Sequence, residues 1–342
     1  MTDQIGVALA GYGYWGTNLA RNIASTAGLR LIGVADPSEP QRIAAAAAFP
    51  GIRTWSDSSQ ALEDSDVGAV VIAVPAAFHH QVARACLESG RHVMIEKPLA
   101  TTPDDAEDIV RIAKDTGLVA MVGHTFLYSP PVRKLREYIE SGELGTVQYL
   151  YSQRLSLGKI RRDCNALWNF APHDVAIMLY LLGERPESVS ATSLSMIDPT
   201  VPDVFFANIT FPSVGAHLHV SWLDPQKTRV MTIVGDRKMA IYNDVSVDQK
   251  LWIVDAGVAT DGSFGEYQSH GDFQWRTRAG DILIPKIDGT EPLRLEMAAF
   301  AESCLTGEPP LADARHGADV VAVLSAIDDS ARNGGIPEGI TW

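Results

Sequence analysis

The sequence predicts an α/β protein with two parts. The first is an N-terminal doubly wound parallel sheet over residues 1–124. The second is an α+β domain over 125–342 with a large, mostly antiparallel open sheet. Three observations support this. Up to His124, short apolar runs rich in β-branched residues alternate with amphipathic stretches, the pattern of parallel strands covered by helices on both faces. Beyond about residue 186, strand-like runs follow one another with no helical stretch between them, as in an antiparallel sheet. Finally, 342 residues exceed what one hydrophobic core usually serves.

The elements follow in order. "IGVALA" is a strand that enters a helix from about Trp15, and "LRLIGVAD" is the second strand. "SEPQRIAAAAA" is a helix with Pro40 in its first turn, where the missing N–H costs nothing. "GAVVIAVP", "RHVMIEKP" and "LVAMVGH" are further strands, separated by helices near 79–89 and 103–116. Thr102 caps the latter helix and Gly117 stops it. "SPPVRKLREYIESGELG" is a helix and "TVQYLYSQRL" a strand. "LWNFAPHDVAIMLYLLG" is a helix opening near Pro172 and closing at Gly183. Six strands fill 186–255, an extended loop or lid is expected over 258–290, and helices near 293–305 and 313–331 follow.

Composition excludes several functions. A formal net charge of −14 with a pI near 5.0 argues against non-specific nucleic-acid binding, which needs a basic surface. Cys86, Cys164 and Cys304 lie far apart and read as reduced thiols rather than a disulfide framework or zinc site. No HExxH, clustered carboxylates or GxSxG occurs, so neither metal nor serine-hydrolase chemistry is indicated. With no secretory-type start and no long apolar run, a soluble, cytoplasmic protein is expected.

"GYGYWG" at 11–16 carries the first chemical signal. Gly11 ends a strand, Gly13 lets backbone approach a pyrophosphate, and Gly16 permits close helix–strand packing. The helix start then supplies free N–H groups and a positive dipole end for phosphates. Asp36 stands twenty residues beyond Gly16 at the end of the second strand, where an acid binds ribose hydroxyls. Its carboxylate would repel a 2′-phosphate, and Pro37 and Ser38 follow it rather than an arginine. NAD is therefore favoured over NADP, and FAD also fits the fingerprint taken alone. The second signal is Lys97, held between Glu96 and Pro98 at the C-terminal end of a strand, the edge at which open α/β sheets bind ligands.

Together with "VPAAFH", "GRHVMIEKP", "VGHTFLYSP", "SGELG", "LWNFAPHD" and the C-terminal "EPLRLEMAAFAESCLTGEPPLADARHGADVVAVL", these residues resemble the Gfo/Idh/MocA family of NAD(P)-dependent oxidoreductases over essentially the whole chain. The resemblance implies a Rossmann domain and a second domain whose open sheet forms a homo-oligomer interface. It places Gly11, Gly13, Tyr14, Trp15, Gly16, Asp36, Pro75, His79, Glu96 and Lys97 about the cofactor. Lys97 is implied as the active-site lysine, with a cis Lys97–Pro98 bond. His173 matches the family's histidine, and its imidazole suits proton transfer; a place in the first turn of a helix would help keep it neutral. Asn169 stands where the family carries an aspartate and is expected to position substrate.

Further substrate candidates are His124, the basic residues Arg154, Lys159, Arg161 and Arg162 as anion contacts, Trp168 as a stacking surface, and Tyr267, His270 and Trp275 in the loop. The expected reaction moves hydride between NAD and a secondary hydroxyl or ketone, by analogy at C3, of a sugar, amino sugar, aminoglycoside or sugar nucleotide. The alternatives are a deoxysugar 3-ketoreductase working reductively and a non-catalytic NAD-binding regulator of the same fold.

Overall fold

The computed structural model describes residues 4–158, 160–162, 164–258 and 277–342. The chain divides into two compact units, one of residues 1–129, 289–325 and 341–342 and the other of 130–288 and 326–340.

The first unit contains β1 (Ile5–Ala10), α1 (Tyr14–Ser25), β2 (Leu29–Ala35), α2 (Glu39–Ala48), β3 (Arg53–Trp55), α3 (Ser58–Leu62), β4 (Ala69–Ile72), α4 (His79–Glu88), β5 (His92–Ile95), α5 (Pro103–Thr116) and β6 (Ala120–Val122). The six strands are parallel and lie in the order β3-β2-β1-β4-β5-β6. The order reverses at β1, the topological switch point where such sheets bind ligands. β4 and β6 are buried at every residue and β1 and β5 at all but their first, which explains their near-continuous apolar sequence. Thr102 caps α5 by accepting a hydrogen bond from the Asp105 N–H, and Gly117 ends it in the left-handed region at φ 67°.

The second unit contains α6 (Pro130–Glu140), β7 (Val147–Leu155), α7 (Ala166–Leu182), β8 (Ser188–Leu194), β9 (Val204–Thr210), β10 (Gly215–Ser221), β11 (Thr228–Gly235), β12 (Met239–Asn243), β13 (Leu251–Val258) and β14 (Thr277–Leu283). After α8 (Pro292–Thr306), the division between the units falls within α9 (Ala314–Arg332), and β15 (Glu338–Gly339) belongs to the second unit. Nine strands form one sheet in the order β14-β13-β12-β11-β7-β10-β9-β8-β15. All described pairings are antiparallel except β7 with β10. Alternate residues of β7 to β12 point inward, among them Leu150, Phe205, Ala207, Leu218, Met231, Ile233 and Tyr242, and with the apolar side of α7 they make the core.

The structure departs from the sequence-based expectation in four places. The 289–325 stretch belongs to the first unit, so the C-terminal region does not stay with the second domain. Leu293, Met297 and Phe300 of α8 are buried against α1, β1 and the turn at 125–128. The Val122 N–H donates to the Ala312 carbonyl at 2.7 Å, occupying the outer edge of β6. α7 opens at Ala166 rather than Pro172, because the Asn165 side chain caps it by accepting from the Trp168 N–H at 3.1 Å. Pro172 therefore lies inside the helix, where it removes the bond to the Trp168 carbonyl. Residues 277–283 of the expected lid form β14, paired with β13; Gly280, Asp281 and a wholly exposed face give no strand signal. Short β3, α3 and β15 also escape sequence patterning.

Candidate active site

The site is built first at the C-terminal edge of the parallel sheet. Gly11 adopts φ +96°, and a Cβ there would lie 2.5 Å from the Ala73 carbonyl oxygen; only glycine makes this turn without strain. A Cβ on Gly16 would lie 2.3 Å from the Gly11 carbonyl oxygen, so α1 starts directly against the turn. Gly13 is the N-cap of α1, with no side-chain cap and nothing within 4 Å of its Cβ direction. The amides of the first helical turn are thus left for an anion, aided by the helix dipole. Tyr14 is 90% exposed on this turn.

Asp36 follows β2 directly. Its Oδ2 accepts from the Tyr12 N–H at 2.7 Å and its Oδ1 from the Ser38 N–H at 2.8 Å, so one carboxylate braces the glycine turn and fixes its own rotamer. Arg42, which the sequence reading passed over, reaches back to the Asp36 and Pro37 carbonyls at 2.7 and 3.0 Å. The residues present therefore fit a dinucleotide: a diphosphate cradle at α1 and an oriented carboxylate at β2.

Glu96 and Lys97 follow β5, and the Lys97–Pro98 bond is cis. The Trp15 indole N–H donates to Glu96 Oε1 at 2.6 Å, linking the glycine turn to the end of β5. Burial lifts the Glu96 carboxyl to about 7, against the pull of the Lys97 ammonium and of hydrogen bonds from Trp15 and the Lys97 amide. Pro75 is exposed after β4. His79 is buried, not presented to a ligand: Nδ1 lies 2.7 Å from the Pro98 carbonyl oxygen and Nε2 3.0 Å from that of Val74. It braces the Lys97 turn. Burial, helped by the Lys97 ammonium, lowers its pKa while the two carbonyls oppose the shift.

A polar cluster that no sequence motif announced lies beneath. His124 is 1% exposed, with neither ring nitrogen hydrogen-bonded among the described residues, and its ring meets that of His316 edge-on at 5.6 Å. Burial, His316 and Lys97 hold it well below the usual histidine range; burial takes His316 to about 4. Glu296 is wholly buried and accepts from the Thr125 hydroxyl at 2.8 Å. Burial and the Glu96 carboxyl push it well above the ordinary range. Instead of facing solvent as a substrate contact, His124 belongs to this enclosed group.

In the second unit, α7 carries Asn169 and His173 one turn apart, a spacing that puts both on one helix face. His173 is in the third turn, since α7 begins at Ala166, so the helix-start dipole does not act on it as the sequence reading expected. Asn169 Oδ1 accepts from the Trp222 indole N–H at 3.2 Å. Trp168 is tied by its own indole to Asp328 Oδ2 at 3.3 Å. Arg154 is 4% exposed and pairs with the buried Asp174, whose Oδ1 also accepts from the Ser152 hydroxyl at 2.6 Å. That guanidinium is a structural clamp between β7 and α7 instead of the expected anion contact. Arg161 is exposed. Lys159, Tyr267, His270 and Trp275 lie outside the described residues.

Comparison with known proteins agrees with this geometry. The profile of the oxidoreductase family with an NAD-binding Rossmann fold, Gfo/Idh/MocA, matches residues 5–124, and that of the Gfo/Idh/MocA C-terminal domain matches 132–241. The chain belongs to the Gfo/Idh/MocA family. It is 32% identical over 186 residues to 4-carboxy-2-hydroxymuconate-6-semialdehyde dehydrogenase of Sphingobium sp., covering 52% of this chain and 59% of that one. It is also 32% identical over 197 residues to inositol 2-dehydrogenase 2 of Saccharopolyspora erythraea, covering 56% and 57%. These matches span little more than half the length of the curated relatives. Among solved structures, an oxidoreductase from Magnetospirillum magnetotacticum MS-1 superposes with a TM-score of 0.80 at 28% identity, covering 95% of this chain and 99% of that one.

Glu296, His316 and Trp222 carry no sequence motif because each meets its partner through tertiary packing, whereas Arg42 acts locally, on carbonyls five and six residues before it. An acidic residue, Glu296, amid the apolar stretch "LEMAAF" is the one local signal in the sequence. Among the described residues no group of three His, Cys, Asp or Glu could hold a metal, and no helix is long and apolar enough to cross a membrane.

Proposed function

We propose that this protein is an NAD-dependent dehydrogenase that oxidises a secondary hydroxyl of a polyol or sugar to the ketone. The observation that carries the reading is the open start of α1 behind Gly11 and Gly13, with the Asp36 carboxylate braced at the end of β2. The inositol dehydrogenase among its relatives supports the polyol class. NAD, when bound, supplies the hydride acceptor. The α1 amides hold its diphosphate, and Asp36 accepts from the adenosine ribose hydroxyls. Arg42 is occupied with main-chain carbonyls while Asp36 repels a 2′-phosphate, so NAD is preferred over NADP. Lys97 orients the substrate hydroxyl. His173 takes the O–H proton as the C–H electron pair leaves as hydride, and the C=O bond forms.

The exposed sheet face supports self-association. Register aligns Asn208, His217, Tyr151, the buried Thr232, Ile241 and Trp252 across five pairings, and Tyr149, Tyr151, Phe206 and Trp252 are between 36% and 48% exposed. A second copy covers this face in our reading; light scattering on Tyr151→Glu should show dissociation, and an unchanged mass would refute it.

The decisive assay follows absorbance at 340 nm with NAD+ or NADP+ and a panel containing myo-inositol, scyllo-inositol, glucose, N-acetylglucosamine and UDP-N-acetylglucosamine. Turnover with NAD+, abolished in Lys97→Ala and His173→Ala with NAD+ affinity retained, supports the reading. NAD+ binding without turnover on any of them would favour a cofactor-binding regulator.

A further inference from the structure

Two histidines on the outer face of β10 have the arrangement of a chelate. His217 and His219 flank Leu218, whose side chain is 0% exposed in the core. The strand therefore turns both imidazoles to the opposite, outer face. Their Cα atoms are roughly 6.6 Å apart at the ordinary rise of a strand, and the charge of His217 acts on the His219 ring.

Each ring is oriented by its partner on β9. His217 stands opposite Asn208 in register, and its Nδ1 lies 2.9 Å from Asn208 Oδ1. An amide oxygen only accepts, so Nδ1 carries the proton and Nε2 keeps its lone pair. A metal-binding histidine is held in the same way, with its other ring N–H donated to an oxygen. His219 stacks on Phe206 with ring centroids 4.4 Å apart, which sets its plane. Burial lowers the pKa of both rings; His217 adds to the effect at His219, and Asp224 opposes it. Both rings are thus neutral at pH 7, the form that coordinates metal.

We propose that His217 and His219 bind a divalent transition-metal ion of the zinc type, and that the same pair from a second copy completes its coordination. Zinc takes four ligands in a tetrahedron, and one chain brings two. β10 lies near the middle of the nine-stranded sheet, with five strands to one side and three to the other. A two-fold axis through the centre of this face sets the patch against itself and brings four imidazoles together. The proposal rests on the self-association reading above, in which a second copy covers this face. The aromatic residues there supply contact area without direction. The ion fixes the register of the two sheets and ties assembly to zinc supply.

Untagged full-length protein, stripped of metal with a chelator, is titrated with zinc chloride by calorimetry while light scattering follows its mass. Wild type should bind one zinc ion per two chains. Zinc at about a hundred times its Kd should tighten the dimer about a hundredfold. His217→Gln and His219→Gln should each lose saturable binding. Asn208→Leu, which removes the acceptor that orients His217, should weaken it about tenfold. With Cu2+ as a second probe, nitrogen hyperfine coupling in the EPR spectrum should vanish when both histidines are replaced.

No saturable zinc binding by wild type, or binding unchanged in both glutamine variants, overturns the chelate. One ion per chain with no change in mass overturns the shared site. A metal-free dimer that Tyr151→Glu dissociates but that takes up no zinc refutes this inference and leaves the self-association reading standing. A chain that stays monomeric at every zinc concentration refutes that reading and the shared site with it; Cu2+ coupling lost in the double variant would then retain the two-histidine chelate alone.

Discussion

Replacing Asp174 with alanine tests how the helix carrying His173 is held. Arg154 and Asp174 are 4% and 3% exposed, and together they clamp β7 to α7. Desolvation is the largest influence on the Arg154 guanidinium and pulls its pKa down, but the charge and hydrogen bond of Asp174, with smaller attractions from Tyr242 and Asp244, together more than offset it. Removing Asp174 leaves a buried cation without its main counter-charge, a change that costs about 3–5 kcal/mol. The Ser152 hydroxyl also loses its acceptor, roughly 1 kcal/mol more. The attraction of Asp244 survives and offsets part of this, so about 3–4 kcal/mol is expected. With a urea slope of about 2–3 kcal/mol per M, the unfolding midpoint of the second unit, followed by tryptophan fluorescence, should fall by roughly 1–2 M. The double variant Arg154→Met with Asp174→Leu removes both charges and should recover most of the loss. A single variant within about 0.3 M of wild type, or a double variant no better than the single, would refute the clamp argument.

Three other outcomes follow from the first unit. Gly16→Ala places a methyl 2.3 Å from the Gly11 carbonyl oxygen; calorimetry should show NAD+ affinity weakened about tenfold or more, and unchanged affinity would remove the turn from the cofactor site. Asp36→Ala should weaken NAD+ binding and narrow the preference over NADP+, read by titrating both; a retained preference would count against the ribose role. His316 has its folded pKa near 4 against an ordinary 6.5. Its neutral burial therefore contributes stability above pH 6.5 that is lost as pH falls through 4, on the order of 3 kcal/mol. His316→Leu should flatten that stretch of the Tm–pH curve, and an equally steep curve would sink the assignment.

What could be read in advance was local. The glycine turn was legible because Gly11 needs a positive φ and Gly16 answers to the Gly11 carbonyl a turn earlier, although the Ala73 carbonyl that also crowds Gly11 is distant in sequence. Asp36 was legible because strand, helix and strand lengths fix its place. The buried parallel strands announced themselves through their apolar runs. α7 was misplaced because Pro172 looks like a first-turn proline, and nothing in the one-dimensional pattern gives the Asn165 cap priority over it. Arg154 stood in a strand that alternates inside and outside, yet its inward register makes sense only once Asp174 is seen opposite. Trp222 and His316 come within reach of Asn169 and His124 through contacts between residues 53 and 192 positions apart, respectively. Periodicity carries no such information.

The return of residues 289–325 to the first unit has a consequence for biosynthesis. A ribosome that has made the first 129 residues has supplied all six strands of the first sheet, but not α8, which covers α1, nor Ala312, which occupies the rim of β6. The nascent nucleotide-binding unit must wait, with an apolar flank and an open strand edge exposed, while the whole antiparallel sheet is synthesised. Cutting the gene after codon 129 should therefore yield an insoluble fragment, whereas a permuted gene that joins 289–325 ahead of residue 4 would let this unit close first.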